Sequence, residues 1–106
     1  MKERDQKRAK VILKTYRKEI NELDDQILKL IGKRFGVIRK VAKIKEKQGL
    51  PSFLHDRVVA VRARAMKLGE KYGIDPKFVY GMYTSMIMHS CILEDDNMDK
   101  IKAGKK

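Results

Sequence analysis

Two cations and a carboxylate stand out for where they fall in the apolar spacing. Arg34 fills a slot between Leu30 and Val37 in a run of apolar residues, and Lys45 follows it by eleven positions. On a helix at 100° and 1.5 Å per residue, eleven positions return to within about 20° of the same face, about 16 Å along the axis. Such a pair can flank one small anion from opposite ends. An arginine that snorkels or ion-pairs at a seam between two chains fits the spacing equally well. Arg17 lies beside the same stripe but about 25 Å before Arg34, too far to serve an anion held by Arg34 of its own chain. It reaches a partner's ligand if two such helices pack antiparallel, or pairs on the surface with Glu22 or Asp24. Ser90 and Glu94, four apart, share a helix face that continues the line of Tyr83 and Ile87. Glu94 is then either a buried carboxylate needing a partner or a residue of a helix end emerging into solvent before Asp95, Asp96 and Asn97.

The remaining chemistry-bearing residues form no further set. His55, His89 and Cys91 lack the spacing and acidic companions of a metal site. No Ser/His/Asp or Cys/His grouping argues for a covalent intermediate, and no glycine-rich phosphate loop occurs. No metal or cofactor site is assigned to these residues, and the spacing leaves Arg34 open to both readings, an anion ligand and a seam residue.

These residues need rigid elements to position them. Leu13, Tyr16, Ile20, Leu23, Ile27, Leu30, Val37, Val41 and Ile44 alternate spacings of three and four, which predicts one amphipathic helix over 11–48. Gly49 and Pro51 stop it. A second helix is predicted from Ser52–Leu54, with Ser52 as N-cap, to Tyr72-Gly73; Leu54, Val58, Val61, Ala65 and Leu68 form its apolar face and Arg57, Arg62, Arg64 and Lys67 its basic one. Asp75-Pro76 opens a third, with Val79, Met82, Tyr83, Met86, Ile87, Ser90 and Leu93 inward, expected to fade after Asp96 or Asn97. Strand alternation and internal repeats are absent, so the fold class is all-α. A polar extension over 1–9, frayed or adding one helical turn, a helical domain over 10–97 and a basic tail over 98–106 complete the organisation.

The 106-residue chain carries 26 Lys and Arg against 14 Asp and Glu, a net charge of +12. That balance admits nucleic acid or a small polyanion. The lysines are spread along outward positions and both tails without interleaved aromatics, so no stacking platform for single strands is present and no nucleic-acid partner is expected. No apolar run approaches a membrane span or a signal peptide, and the single cysteine suits a reducing compartment, which together predict a cytoplasmic protein with no membrane partner. Two short helices cannot cover the long stripe, so a second copy of the chain is expected to supply the missing core.

Tyr16 to Asp24 (Tyr-Arg-Lys-Glu-Ile-Asn-Glu-Leu-Asp), Leu30 to Arg34 (Leu-Ile-Gly-Lys-Arg), Val41 to Lys45 (Val-Ala-Lys-Ile-Lys), Asp56-Arg57, and Ser90 with Glu94 stand in one ungapped order. In that order the chain resembles the all-helical chorismate mutases of the intertwined-dimer type, from about Tyr16 to Asp95. The resemblance implies three helices per chain and a helix-swapped homodimer whose two sites each borrow Arg17 from the partner. It further implies that Arg34 and Arg57 clamp carboxylates and that Ser90 contacts one. Lys45 then donates to a carboxylate and to the ether oxygen, and Glu94 is the second donor to that oxygen. Rearranging chorismate to prephenate is intramolecular and needs only a compact conformer and stabilised charge on the ether oxygen, which cations and fixed donors provide. The sequence departs from the common pattern at Leu54 and Val58, where many members carry acids reaching the C4 hydroxyl side of the substrate, and at Glu94, where many have Gln. Relatives acting on isochorismate or 4-amino-4-deoxychorismate look similar around Arg57-Val58, and those on the amino substrate around 91–95, so a related substrate is the alternative within the fold. A basic helical module binding nucleic acid or an acidic protein is the alternative of another class; it requires salt-dependent binding and tolerance of Arg34→Ala.

Overall fold

The computed structural model describes the backbone of residues 2–104 and the side chains of residues 2–95. Three helices follow one another, α1 (Lys2–Gln48), α2 (His55–Lys71) and α3 (Pro76–Gly104), and no strand occurs among the described residues. The chain divides into two compact units, Met1–Arg34 and Phe35–Lys106.

The first unit is helix alone. It begins at Lys2, so the polar segment continues α1 by more than the single turn expected, helped by Glu3 and Asp5 at the positive end of the helix dipole. The stripe from Leu13 to Leu30 has the predicted periodicity. Leu13, Tyr16, Ile20, Leu23, Ile27 and Leu30 are nevertheless each between 45% and 63% exposed.

The second unit holds the end of α1 with α2 and α3. Its core is small: Ala42, Ala65, Val79 and Ile87 are buried. α2 and α3 approach closely where Gly69 meets Val79; a Cβ on Gly69 would lie 2.7 Å from Val79 Cγ2. Arg62 clips the same two helices together, its guanidinium 4.5 Å from the Tyr80 ring centre and its Nη1 donating to Thr84 Oγ1 at 3.2 Å. The Phe35 and His89 rings pack in a T-shaped arrangement, their centres 5.0 Å apart.

Here the register of α1 departs from the sequence reading. Val37 and Ile44 continue the stripe of the first unit and, like it, stay exposed, while Phe35, Ile38, Ala42 and Lys45 turn inward. Both tracks repeat every three and four residues, one position apart, and periodicity alone does not say which of them the chain's own helices cover. Leu68 and Met82, assigned inward, are also exposed.

The helix ends follow local chemistry. At the end of α1, Gly49 takes φ of 70°, Leu50 N–H donates to Lys45 O at 2.8 Å and Gly49 N–H to Glu46 O at 3.3 Å, which is a Schellman stop. α2 ends in the same way, with Ile74 N–H on Gly69 O and Gly73 N–H on Glu70 O. Asp75 caps α3, its Oδ1 accepting from Lys77 N–H at 2.9 Å. Two predicted limits need correction. Ser52 does not cap α2; Leu54 is the N-cap, with no side-chain bond, because Pro51 and Ser52 belong to an extended connection that must first reach across to Lys45. α3 does not fade at 96–97 but runs to Gly104, since no glycine or proline interrupts it after Gly81. The side chains of the basic tail over 98–106 lie outside the described residues.

Candidate active site

Lys45 and Glu94, 49 residues apart in sequence, meet inside the second unit. Lys45 Nζ lies 3.1 Å from Glu94 Oε1 and 3.0 Å from Oε2, and its side chain is 14% exposed against 4% for the carboxylate. Lys45 arrives there because it ends the inward track of α1 one turn before the Gly49 stop. Glu94 arrives because α3 carries it two turns beyond buried Ile87, in phase with buried Ser90. Of the two sequence readings of Glu94, the buried and paired one holds.

A third group completes the cluster. Lys45 Nζ also donates to the main-chain oxygen of Ser52 at 3.0 Å, and the Cys91 thiol sits 3.9 Å from that oxygen. Sequence reading missed Ser52, and no side-chain signal could have revealed it, because the contact is made by a backbone carbonyl. Cys91, read as a small buried hydrophobe, is half-buried at the cluster's edge. Burial, reinforced by the negative charge of Glu94, pushes its thiol above its ordinary value, against the opposing pull of Lys45, so the sulfur is held as S–H.

Ser90, one turn before Glu94, is buried and returns its hydroxyl to Met86 O at 2.8 Å. Arg57 is exposed on the first turn of α2. On the first unit, Arg17 is exposed and Arg34 half-buried. The structure thus brings Lys45 and Glu94 into contact and sets Ser90 beside them on α3.

A part-buried ammonium held by a carboxylate and a neutral carbonyl is a fixed hydrogen-bond donor. It can stabilise charge growing on a substrate oxygen without a nucleophile. The family model for chorismate mutase type II matches residues 16–95, about three quarters of the chain. The chain belongs to the type II chorismate mutase family. Membership makes it an enzyme of the isomerase class and favours that reading over a basic binding module.

Individual relatives agree. The chain is 29% identical over 83 residues to a 4-amino-4-deoxychorismate mutase of Streptomyces venezuelae, covering 78% of this chain and 81% of that protein. It is 29% identical over 90 residues to a chorismate mutase of Methanocaldococcus jannaschii, covering 85% and 91%. A T-protein of Enterobacter agglomerans matches at 26% over 84 residues, 79% of this chain but 22% of the larger protein. Among the described residues no helix of this chorismate mutase domain is long and apolar enough to cross a membrane.

Proposed function

We propose that this chain rearranges chorismate to prephenate and does so as a homodimer. The observation that carries the reading is the part-buried Lys45 ammonium fixed against Glu94 and Ser52, set within a chain of the type II family. Lys45 donates to the ether oxygen, where negative charge develops as the C–O bond breaks, and Glu94 is the second group directed at that oxygen. Arg34 and Arg57 hold the two carboxylates in bidentate fashion, with Ser90 adding a hydroxyl. Arg17 comes from the partner's long helix. The uncovered stripe from Leu13 to Leu30 supports the homodimer, since six large apolar side chains left in water over a single helix are a strong drive to association. The domain extends over 10–97 between its polar and basic tails, and the protein works in the cytoplasm without nucleic-acid or membrane partners.

A second reading keeps the fold and changes the substrate. Leu54 and Val58 offer no acid toward the ring C4 substituent, and a relative at 29% identity acts on 4-amino-4-deoxychorismate. Turnover of purified protein on chorismate, isochorismate and 4-amino-4-deoxychorismate separates the readings: prephenate formation at the highest kcat/KM supports the first, preference for the amino substrate the second. Turnover of none of the three overturns both. Sedimentation at micromolar concentration is expected to give twice the 12.4 kDa chain mass, and a folded, active monomer would remove the role given to Arg17.

A further inference from the structure

We infer that the main-chain carbonyl of Ser52 positions the Lys45 ammonium for the chemical step, so that the connection between α1 and α2 is part of the active-site apparatus. The inference rests on the mutase reading of Lys45. An ammonium has three N–H groups and rotates about its Cε–Nζ bond. Two anchored N–H groups fix the direction of the third. The two Glu94 oxygens, at 3.1 and 3.0 Å, lie on one side of the ammonium, so a second acceptor in another direction is needed to stop its rotation. Ser52 O, at 3.0 Å, is a neutral acceptor that orients the ammonium and leaves its charge intact.

The connection is tied to Lys45 twice. Leu50 N–H closes on Lys45 O at 2.8 Å, and Ser52 O receives Lys45 Nζ. Between the two ties stand Gly49, at a φ of 70° that side chains rarely adopt, and Pro51, whose ring fixes its own φ. Leu50 and Phe53 are exposed, and the outer side of the segment borders an open depression of about 470 Å³. Ser52 between them is half-buried, and Lys45 and the Cys91 thiol both meet its oxygen.

The test alters the carbonyl and leaves every side chain in place. The full chain, assembled with the Ser52–Phe53 amide replaced by an ester, carries a weaker acceptor at Ser52 O; a control ester between Phe53 and Leu54 leaves that oxygen as an amide. Expected is a fall in kcat of about five- to tenfold with KM within twofold for the first ester, and kcat within twofold of the native chain for the control. A second pair covers misfolding of the esters: Gly49→Val, strained at positive φ, loses kcat, and Gly49→Asn, which tolerates that conformation, recovers it. NMR relaxation of the Lys45 ammonium supplies a readout independent of turnover, with the group ordered in the native chain and mobile in the first ester. An unchanged kcat with an equally ordered ammonium overturns the inference. If the native chain turns over no chorismate, the mutase reading falls, and the ammonium relaxation still decides whether Ser52 holds Lys45.

Discussion

Lys45→Met removes the ammonium and leaves a carboxylate that is 4% exposed facing a hydrocarbon. Breaking a buried pair from one side costs about 3–5 kcal/mol, because the surviving charge keeps its desolvation penalty and loses its partner. Here Ser52 O loses its donor as well. Glu94→Gln is milder. The amide preserves shape, and the ammonium keeps Ser52 and, at 14% exposure, some contact with water, so the loss is about 1–3 kcal/mol. The double variant contains no buried charge and nearly the same volume, and is expected to lie only about 1–2 kcal/mol below the native chain. The two single losses must therefore sum to more than the double loss, by at least about 2 kcal/mol. Urea unfolding at one fixed protein concentration measures all four corners of the cycle. If the single losses add to the double within about 0.5 kcal/mol, the pair is not coupled in solution, and the site built on it falls.

Gly69→Ala drives a Cβ to 2.7 Å from Val79 Cγ2, a stiff β-branched methyl on a side chain buried in the α2–α3 contact. Overpacking outweighs the gain in helix propensity, for a net loss of about 1–2 kcal/mol, whereas Gly81→Ala meets open space and gains up to about 1 kcal/mol. Urea midpoints moving in the same direction for both variants would contradict the close approach. For Cys91, a thiol held above its ordinary value has less thiolate at any given pH, so iodoacetamide labels it more slowly than free cysteine near pH 8. Labelling is expected to accelerate as pH rises past the ordinary thiol range, and to match free cysteine once urea unfolds the chain. Glu94→Gln also reports on mechanism: the amide keeps the shape of the side chain and carries a permanent N–H donor, so the variant is expected to retain kcat on chorismate within about threefold, whereas Glu94→Ala loses at least about tenfold. Equal kcat in the Ala variant and the native chain would exclude Glu94 as the donor.

What the sequence made legible was whatever depends on local rules. Three helices, the Gly49 and Gly73 stops and the Asp75 cap follow from residue types that act within one turn, and the structure has them all. Lys45 and Glu94 could be singled out as polar residues in apolar phase, and the family resemblance paired them. What escaped depends on contacts between elements. Ser52 is a plausible N-cap by type, yet its carbonyl is spent on a lysine of the preceding helix and α2 starts later. α3 carries an Asp-Asp-Asn run that reads as a fading end, but such residues only weaken a helix, and nothing at 96–97 stops one.

The register of α1 is the more instructive failure. Val37 and Ile44 are exposed like the stripe of the first unit, with Val41 between them half-buried, and Phe35, Ile38 and Ala42 form a second track beside it that meets the chain's own α3 through His89. One helix thus carries two apolar faces with different fates, and a wide apolar stripe in sequence is the sum of both. Lys45 lies on the covered track, which is why its ammonium reaches Glu94 and Ser52 instead of solvent. The same residue one position earlier, in the place of Ile44, would stand on the open track and be unable to fix a donor within this unit. The covered track sets where the chemistry sits, while the open track marks the surface that the proposed homodimer must bury.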